Sequence, residues 1–436
     1  MFQEHNIEVG DLIEVVKNGR KYTGILMPRY GLGDPNTLVL KLKNGYNIGL
    51  KLEGGFKIRL IKKGRRPVFP EKKITRKEGL PSISLIATGG TIGSRVDYLT
   101  GGVYMCVKPE ELLYIIPELE DLVNIERISS PFLLASEDLT YKEWIKIAEL
   151  TAKELNSGVD GVVITHGTDT LHYTSAALSF MLRNLCKPVA IVGAQRSPDR
   201  GSSDGAMNLI CASIFASRAG MAEVAAVSHA SLNDDYCYAI RGTKVRKMHT
   251  SRRDTFRPIN DLPLAKIWPN GKIEIVNQRF KPRCKGEVEL DAVFEPKVAL
   301  IKAYPGSDPE VIDFFVDKEY KGIVIEGTGF GHVPTQTLDP QKSWLPKIKR
   351  AIEEGVTIVM TSQTIYGRVN PYVYRNLRLV SSLGVIYAED MHPETAYVKL
   401  GWVLAHTKDP KQVKAMMLTN YAGEITPRSL FNEFLI

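Results

Sequence analysis

The chain has 436 residues, of which 44% are hydrophobic and 24% are charged, a balance that excludes a disordered chain and predicts two or three domains with a sizeable core. No stretch approaches the ~20 apolar residues that span a bilayer, and the acidic N-terminus does not resemble a secretion signal, so we expect a cytoplasmic protein without membrane contact. The net charge of +8 permits an anionic partner such as nucleic acid but does not demonstrate one.

Residues 1–70 predict a small β-barrel of the SH3-like type, because short segments of alternating apolar and polar residues follow one another with turn residues between them. The turn signals include Asn18-Gly19 and Asn44-Gly45, since this dipeptide favours the positive φ angles of a tight hairpin. The predicted strands are Leu12–Val16, Tyr22–Met27, Thr37–Leu42, Tyr46–Lys51 and Lys57–Ile61.

A basic, proline-containing stretch runs from Lys62 to Lys77, and we predict a linker at residues 71–82. Basic residues in a linker can contact phosphate, but a solvated linker is the simpler interpretation. The aromatic residues of the barrel do not form an obvious stacking platform for bases, so its composition favours contact with protein over contact with RNA.

Residues 83–290 alternate apolar β segments with amphipathic helical segments, which predicts a parallel sheet covered by helices. Residues 235–285 interrupt this alternation and are expected to form β-hairpin excursions. The predicted strands are Ser84–Ala87, Gly161–Thr165, Val189–Gly193 and Val224–Ser228, and the predicted helices are Lys142–Asn156, Leu171–Asn184 and Asp204–Arg218.

Residues 291–436 predict a second α/β lobe, so the fold class is a two-lobed α/β body preceded by a small barrel. Its predicted strands are Val298–Ala303, Gly322–Glu326, Val356–Thr361 and Val385–Tyr387, and its predicted helices are Val311–Val316, Trp344–Glu354, Glu394–Thr407 and Lys411–Thr419.

Five scattered cysteines without a C-x-x-C motif predict reduced, buried thiols, and they argue against a disulfide scaffold or a zinc site. The histidines do not complete a metal-ligand set either, because His166 and His172 lack helical ligand spacing and no third ligand is placed. We therefore expect no metal, and we expect His166 to pack beneath its turn.

Two threonine-rich turns follow predicted strands. The first is Thr88-Gly89-Gly90-Thr91-Ile92, and the second is His166-Gly167-Thr168-Asp169-Thr170. In open α/β sheets, ligands bind outside the carboxyl ends of the strands, where both turns are predicted to lie. Glycines allow close approach of the backbone and leave N–H groups for an oxyanion, although a Gly-Gly turn or a threonine helix cap can also be purely structural.

A threonine hydroxyl attacks a carboxamide only when another group removes its proton, so such a site needs a base and an orienting partner. Asp169 is adjacent to Thr168, and a lysine could act as the base if burial lowered its pKa toward neutrality. The two turns together therefore predict a catalytic site in which a threonine hydroxyl is the reactive group.

The pair T-G-G-T-I and H-G-T-D-T resembles the signature of the L-asparaginase/glutaminase family, and the resemblance extends from about Ile83 to the C-terminus. It includes Asp204-Gly205 at a helix start and the segment His406–Pro410. The family implies two asparaginase-like lobes, release of ammonia from glutamine or asparagine, and a homodimer in which a neighbouring lobe completes each active site. Tyr366 and Asn370 are candidates for that contribution.

The resemblance also implies roles for individual residues. Thr91 would be the nucleophile and Tyr98 its activating neighbour on a lid, while Thr168, Asp169 and Lys244 would form a second catalytic group. Lys244 is placed by the segment Arg241-Gly242-Thr243-Lys244, and its role as base or relay stays open, because a neighbouring Asp169 would raise its pKa.

The remaining residues implied by the resemblance bind the substrate. Ser136, Glu137 and Asp169 would hold the α-carboxylate and α-ammonium groups, and Gly90 and Gly167 would line the site with backbone. Bacterial asparaginases commonly carry glutamine where this chain has Glu137, so the effect of that position on the choice between asparagine and glutamine is open.

Stand-alone asparaginases begin shortly before the first threonine turn, whereas this chain has about eighty residues there. A barrel followed by an asparaginase-like body resembles the glutaminase subunits of archaeal tRNA-dependent amidotransferases. That family implies a partner subunit, E, which binds Glu-tRNA(Gln) and uses ATP and Mg²⁺, with no cofactor in this chain. In keeping with this, the chain has no G-x-x-x-x-G-K-[ST] phosphate loop, and Gly327–His332 is better explained as a turn.

Two alternatives stay open: a stand-alone cytoplasmic L-asparaginase, and a non-catalytic RNA-binding scaffold. The leading barrel argues against the first, and the complete set of catalytic residue types argues against the second. A basic run could contact tRNA phosphate, but a solvated loop is the simpler expectation. That run comprises Arg246, Lys247, Arg252, Arg253 and Arg257.

Overall fold

The computed structural model describes residues 6–28, 34, 36–64, 76–96, 103–105 and 116–434. No helix in these ranges is both long enough and apolar enough to cross a membrane.

The N-terminal domain is a five-stranded antiparallel sheet with the order β4-β3-β2-β1-β5, as predicted for a small barrel. Asn18 and Gly19 both have positive φ, so the first hairpin has the predicted two-residue turn, whereas the loop at Asn44-Gly45 is longer. Alternate side chains such as Ile13, Val15 and Leu40 are fully buried. The strands are β1 (Leu12–Lys17), β2 (Arg20–Leu26), β3 (Thr37–Lys41), β4 (Asn47–Lys51) and β5 (Phe56–Lys62).

The first lobe of the body is built on an eight-stranded sheet with the order β18-β17-β14-β13-β12-β10-β6-β9. Its parallel part consists of β6 (Ser82–Ala87), β9 (Asn124–Ser129), β10 (Gly161–Thr165), β12 (Val189–Val192) and β13 (Val224–His229). The predicted hairpin excursions extend the same sheet with antiparallel strands, namely β14 (Cys237–Arg241), β17 (Ala265–Ile267) and β18 (Ile273–Ile275).

Small hairpins and helices complete the described part of this lobe. The two-stranded ladders pair β7 (Ser94–Val96) with β8 (Val103–Met105), β11 (Leu182–Arg183) with β19 (Glu289–Leu290), and β15 (Val245–Lys247) with β16 (Phe256–Pro258). The helices are α1 (Tyr141–Asn156), α2 (Leu171–Met181) and α3 (Gly205–Arg218). Helix α1 begins at a capping box in which Thr140 and Glu143 satisfy each other's backbone donors.

The second lobe, described from residue 291 to residue 434, has a four-stranded parallel sheet and five helices. Its strands, in sheet order, are β20 (Val298–Lys302), β21 (Gly322–Gly327), β22 (Thr357–Ser362) and β23 (Ile386–Tyr387). Its helices are α4 (Glu310–Asp317), α5 (Leu345–Glu353), α6 (Arg375–Ser382), α7 (Pro393–His406) and α8 (Pro410–Leu418). The Gly-rich segment after β21 is a turn closed by a bridge between Thr328 and His332, as expected.

The two lobes share one hydrophobic core. Helix α2 of the first lobe packs against helix α7 of the second, and the ring of Phe180 stacks on that of Trp402 at 5.8 Å. Buried residues of both lobes, among them Leu178, Val324 and Leu400, belong to the same apolar cluster. The lobes are therefore held in a fixed relation by apolar burial, the dominant stabilising contribution in folded proteins.

The prediction that all cysteines are reduced is wrong for one pair. Cys186 and Cys284 form a disulfide that spans 98 residues of sequence, and their Cα atoms are 4.7 Å apart. The two cysteines lie near the paired strands β11 and β19, so the fold, rather than a sequence motif, brings them together. Cys211 and Cys237 are buried free thiols, and Cys106 lies outside the described residues.

Candidate active site

The two threonine turns lie side by side at the carboxyl edge of the eight-stranded sheet. Strands β6 and β10 are parallel neighbours, with Ala87 opposite Thr165. The backbone N–H and the hydroxyl of Thr88 both donate to the carbonyl oxygen of Thr165, at 3.1 and 2.8 Å. Because neighbouring parallel strands end at the same edge, the segments that follow them meet there, as predicted.

Glycine is required where the turns touch. Gly90 has a φ of 83°, and a Cβ atom there would lie 2.4 Å from the backbone nitrogen of Gly167. A Cβ atom on Gly167 would in turn lie 2.7 Å from the Cβ of Ser136. These distances are too short for any side chain, so the two backbones and Ser136 stack directly on one another.

Thr91 begins a short 3₁₀ turn, Thr91–Gly93, immediately after this contact. Its side chain is partly exposed, whereas that of Ile92 is buried and anchors the turn. The hydroxyl of Ser94 donates to the carbonyl oxygen of Gly90 at 2.7 Å and closes the turn. Tyr98, the other member of the predicted nucleophile group, lies outside the described residues.

A lysine joins the two polar residues of the second turn. The Nζ of Lys247 donates to the Oγ1 of Thr168 at 2.9 Å and to the Oδ1 of Asp169 at 2.6 Å. Thr168 is buried, and the Asp169 side chain is 64% exposed, so the carboxylate contacts both the lysine and the solvent. Lys247 ends the short strand β15, which brings it across from the neighbouring hairpin.

The predicted grouping of Lys244 with Thr168 and Asp169 is wrong. The Nζ of Lys244 lies 2.7 Å from the Oδ2 of Asp390 in the second lobe, and both side chains are buried. Burial lowers the pKa of Lys244 and outweighs the opposing effect of Asp390. The lysine that contacts Thr168 and Asp169 is instead Lys247, three residues further along the chain.

Strand alternation explains the correction, because successive side chains of a strand point to opposite sides. Lys244 contacts Asp390, and Arg246, two residues later, donates to Glu394 of the same lobe at 2.8 Å. Lys247 points the other way, into the threonine turn. Assigning the segment to a strand before choosing the lysine would have indicated this division.

Residues near the C-terminus also contact the segment that carries Lys244 and Lys247. The hydroxyl of Thr243 donates to the carbonyl oxygen of Ala422 at 3.0 Å, and the backbone N–H of Thr426 donates to Asp390 at 3.0 Å. The Thr426 hydroxyl also donates to this carboxylate. The strand that carries Lys247 is thus clamped by residues that occur far later in the sequence.

The predicted substrate-binding residues lie beside the turns. Ser136 is buried, and its backbone oxygen accepts a hydrogen bond of 2.6 Å from the hydroxyl of Thr170. Glu137 follows it and is exposed. The structure thus brings Ser136, Gly90 and Gly167 together with Thr168 and Asp169, with Glu137 next to them in sequence.

His166 packs beneath the second turn, as predicted. It is fully buried, its Nδ1 lies 2.6 Å from the carbonyl oxygen of Gly167, and its Nε2 lies 2.8 Å from the hydroxyl of Thr174. Burial lowers the pKa of His166 to about 4, so the ring is neutral at pH 7.

Each member of the predicted basic run forms an ion pair, so the run is not a set of free cations. Arg246 pairs with Glu394, Lys247 with Asp169, Arg252 and Arg257 with Asp254, and Arg253 with Asp234.

A separate cavity of about 310 Å³ lies between the first lobe and the C-terminal segment, and none of the predicted site residues lines it. Arg241 at its wall donates to Glu223 at 2.8 Å and to Asp261 at 3.4 Å. These charges satisfy one another, which indicates a structural joint and not a second reaction site.

Comparison with known proteins places these features in a family. Residues 82–281 match the model described as "Asparaginase, N-terminal", residues 297–417 match "Glutaminase/Asparaginase C-terminal domain", and residues 7–61 match "GatD N-terminal domain". The thermostable L-asparaginase from Thermococcus kodakarensis has a similar structure, with a TM-score of 0.70 and 32% identity over 80% of this chain and 100% of that chain.

The similar curated proteins extend over the whole chain. The D subunit of the glutamyl-tRNA(Gln) amidotransferase of Pyrococcus furiosus is 55% identical, covering 100% of this chain and 98% of the relative. The protein of the same name from Methanopyrus kandleri is 47% identical, covering 98% of this chain and 93% of the relative. The barrel, both asparaginase-like lobes and the two threonine turns are all accounted for by this similarity, and the chain belongs to the family of glutamyl-tRNA(Gln) amidotransferase D subunits.

Proposed function

We propose that this chain hydrolyses the side-chain amide of glutamine and that the ammonia converts Glu-tRNA(Gln) into Gln-tRNA(Gln). The observation that carries the proposal is the contact of Lys247 with both Thr168 and Asp169, beside the touching backbones of Gly90 and Gly167. The name of the relatives and the structural similarity to L-asparaginases support the same activity.

In the proposed reaction, the Oγ of Thr91 attacks the amide carbon of glutamine and forms a tetrahedral intermediate. The carbon–nitrogen bond then breaks, and the nitrogen takes up the proton lost by the Thr91 hydroxyl and leaves as ammonia. Water attacks the resulting ester, glutamate departs, and the hydroxyl of Thr91 is restored. Glutamine and water thus give glutamate and ammonia.

In this scheme, the residues of the second turn transfer protons to and from the reacting atoms. Because Lys247 donates to the oxygen of Thr168, the Thr168 hydroxyl can direct its own proton toward a bound substrate. Thr168 can then pass a proton to or from the reacting atoms, while Asp169 holds the ammonium of Lys247 in place. Lys247 takes the role first assigned to Lys244.

Substrate recognition follows from charge. The exposed carboxylates of Asp169 and Glu137 suit the α-ammonium of glutamine, and the hydroxyl of Ser136 suits its α-carboxylate. A carboxylate that faces the α-ammonium favours a free amino acid over a substrate without that charge.

In this proposal, a partner subunit carries out the transfer of ammonia to the glutamyl-tRNA. A tRNA-binding subunit, E, would activate the glutamyl carboxylate with ATP and Mg²⁺ and receive the ammonia, with two copies of this chain forming a homodimer. Tyr366 and Asn370 remain the candidates for completing the neighbour's site.

Glutamine turnover, followed as glutamate release, tests the site. We expect Thr91→Ala and Lys247→Met each to lower kcat at least about 10²-fold, the scale of a lost catalytic proton-transfer group. Lys272→Met, which changes an exposed lysine on a turn, serves as the matched control. Full turnover by Thr91→Ala would remove the nucleophile assignment.

A second assay tests the tRNA-dependent role. Glutamine hydrolysis is measured with and without the partner subunit, Glu-tRNA(Gln) and ATP. We expect these components to stimulate hydrolysis and to couple it to formation of Gln-tRNA(Gln). Turnover that is indifferent to them, with asparagine preferred, would instead indicate a stand-alone asparaginase.

A further inference from the structure

The positive charge of the chain is concentrated in its N-terminal part. Residues 1–77 contain 17 Lys and Arg against 7 Asp and Glu, whereas the whole chain contains 57 against 49. The first 77 residues therefore carry a net charge of +10, and the remaining 359 carry −2. Such asymmetry is typical of proteins in which one module contacts a polyanion.

The strand register gathers part of this charge on the outer face of the barrel. Val16 of β1 lies opposite Lys57 of β5 on one side and Lys21 of β2 on the other. Lys41 of β3 lies opposite Ile25 of β2. Because alternate residues of a strand share a face, Arg59 points to the same side as Lys57. We call Lys21, Lys41, Lys57 and Arg59 the basic barrel face.

These four side chains are exposed, and none forms an ion pair within the part of the chain that the structure describes. The five barrel strands contain eight Lys and Arg but a single acid, Glu14, which lies opposite Arg59. The contrast with the run from Arg246 to Arg257 is informative, because every cation of that run is neutralised by a nearby carboxylate.

The chemistry of this face suits phosphate better than protein. Lysine is depleted from the centres of protein interfaces, because its strongly hydrated ammonium is costly to desolvate. Against a nucleic-acid backbone the same lysines keep their hydration and release condensed counterions, which is favourable. Of the apolar strand residues on this side of the barrel, only Ile25 and Ile61 are exposed, so the accessible surface there is mainly cationic.

We propose that the basic barrel face binds the phosphate backbone of the tRNA on which the amidotransferase acts. This inference rests on the proposed tRNA-dependent function and adds a contact made by this chain itself. The proposal differs from the expectation based on the composition of the barrel, which favoured contact with protein. The strand register places the basic residues on one shared face, and their scattered positions in the sequence do not show this. The contact would be independent of sequence and would hold the tRNA beside the glutaminase body.

The test compares two quadruple variants of the full chain. One, Lys21→Gln/Lys41→Gln/Lys57→Gln/Arg59→Gln, neutralises the basic barrel face. The other neutralises four exposed lysines elsewhere: Lys285→Gln/Lys318→Gln/Lys411→Gln/Lys414→Gln. Both lower the net charge equally and change only exposed positions. Binding of fluorescent, transcribed tRNA(Gln) is followed by anisotropy over a range of salt concentrations.

Each phosphate contact contributes about 0.9 to the slope of log affinity against log salt, so four contacts contribute about 3.6. When salt is raised from about 50 to 200 mM, the wild type and the barrel variant should both lose affinity for tRNA. The factor by which affinity falls should be about 150 times larger for the wild type than for the barrel variant. The control variant should keep the wild-type slope.

Equal slopes for the two variants, or no tRNA binding by the wild-type chain at about 50 mM salt, would overturn the proposal. Unchanged tRNA binding with weakened capture of the partner subunit would overturn it in favour of a protein contact. Glutamine turnover is measured in parallel and should be unaffected, so failure of the glutaminase function is detected separately.

Discussion

Removing the Lys244 side chain should reveal a structural role and not a catalytic one. In Lys244→Met the carboxylate of Asp390 stays fully buried and loses the ammonium 2.7 Å away, keeping only its bonds to Thr426. Removing one partner of a buried ion pair typically costs about 3–5 kcal/mol. At roughly 2 °C per kcal/mol for a body of this size, the melting temperature should fall by about 6–10 °C.

Calorimetry and urea unfolding measure this loss, and a double variant isolates its cause. Asp390→Asn removes the charge while keeping an acceptor for Thr426, so Lys244→Met/Asp390→Asn should recover at least half of the stability lost in Lys244→Met. Well below its melting temperature, Lys244→Met should turn over glutamine within about tenfold of the wild type, unlike Lys247→Met. A loss below about 1 kcal/mol, or a double variant no more stable than Lys244→Met, would refute the reasoning.

Three further results are expected. Gly90→Ala should lower kcat/KM at least about 10²-fold, because its Cβ would lie 2.4 Å from the backbone of Gly167. Gly93→Ala is the control and should change kcat/KM little, because its Cβ would meet no atom within 4 Å. Equal activities of the two variants would contradict the contact between Gly90 and Gly167. Replacing Cys186 and Cys284 by serine should destabilise the chain by about 3–5 kcal/mol, given a loop of 98 residues. Unfolding midpoints that do not respond to reductant would contradict this.

The third result concerns pH. Because burial lowers the pKa of His166 to about 4, the unfolded chain binds a proton that the folded chain does not between about pH 6.5 and 4. Stability should fall by roughly 3 kcal/mol as pH drops through that window, and His166→Asn should flatten the slope. If His166→Asn leaves the dependence of stability on pH unchanged, that dependence comes from other titratable groups.

The body of the fold was predictable because its central strands are continuous apolar runs followed by turn residues. Strand β9 was missed, since its sequence alternates weakly and four of its six residues are polar, as suits the edge of a sheet. Helix α6 was missed because only Leu377 and Val380 are buried in it, which leaves little periodicity to detect.

The candidate site was predictable wherever a residue lies on a strand-to-turn motif. Thr91, Thr168 and Asp169 belong to that class. Lys247 does not, because its position depends on the side to which a short strand turns, and three basic residues within four positions offer competing choices. The disulfide was equally hidden, since nothing local in the sequence relates Cys186 to Cys284.

The contacts that hold the β15 strand involve residues that are synthesised much later than the strand itself. Asp390 follows Lys244 by 146 residues, and Ala422 follows Thr243 by 179. At about 5–20 residues per second, the ribosome needs roughly 10–40 s after making Lys247 to produce the residues that fix its strand. The nascent chain would therefore carry both threonine turns for that interval before the residues that hold the β15 strand in place have been made.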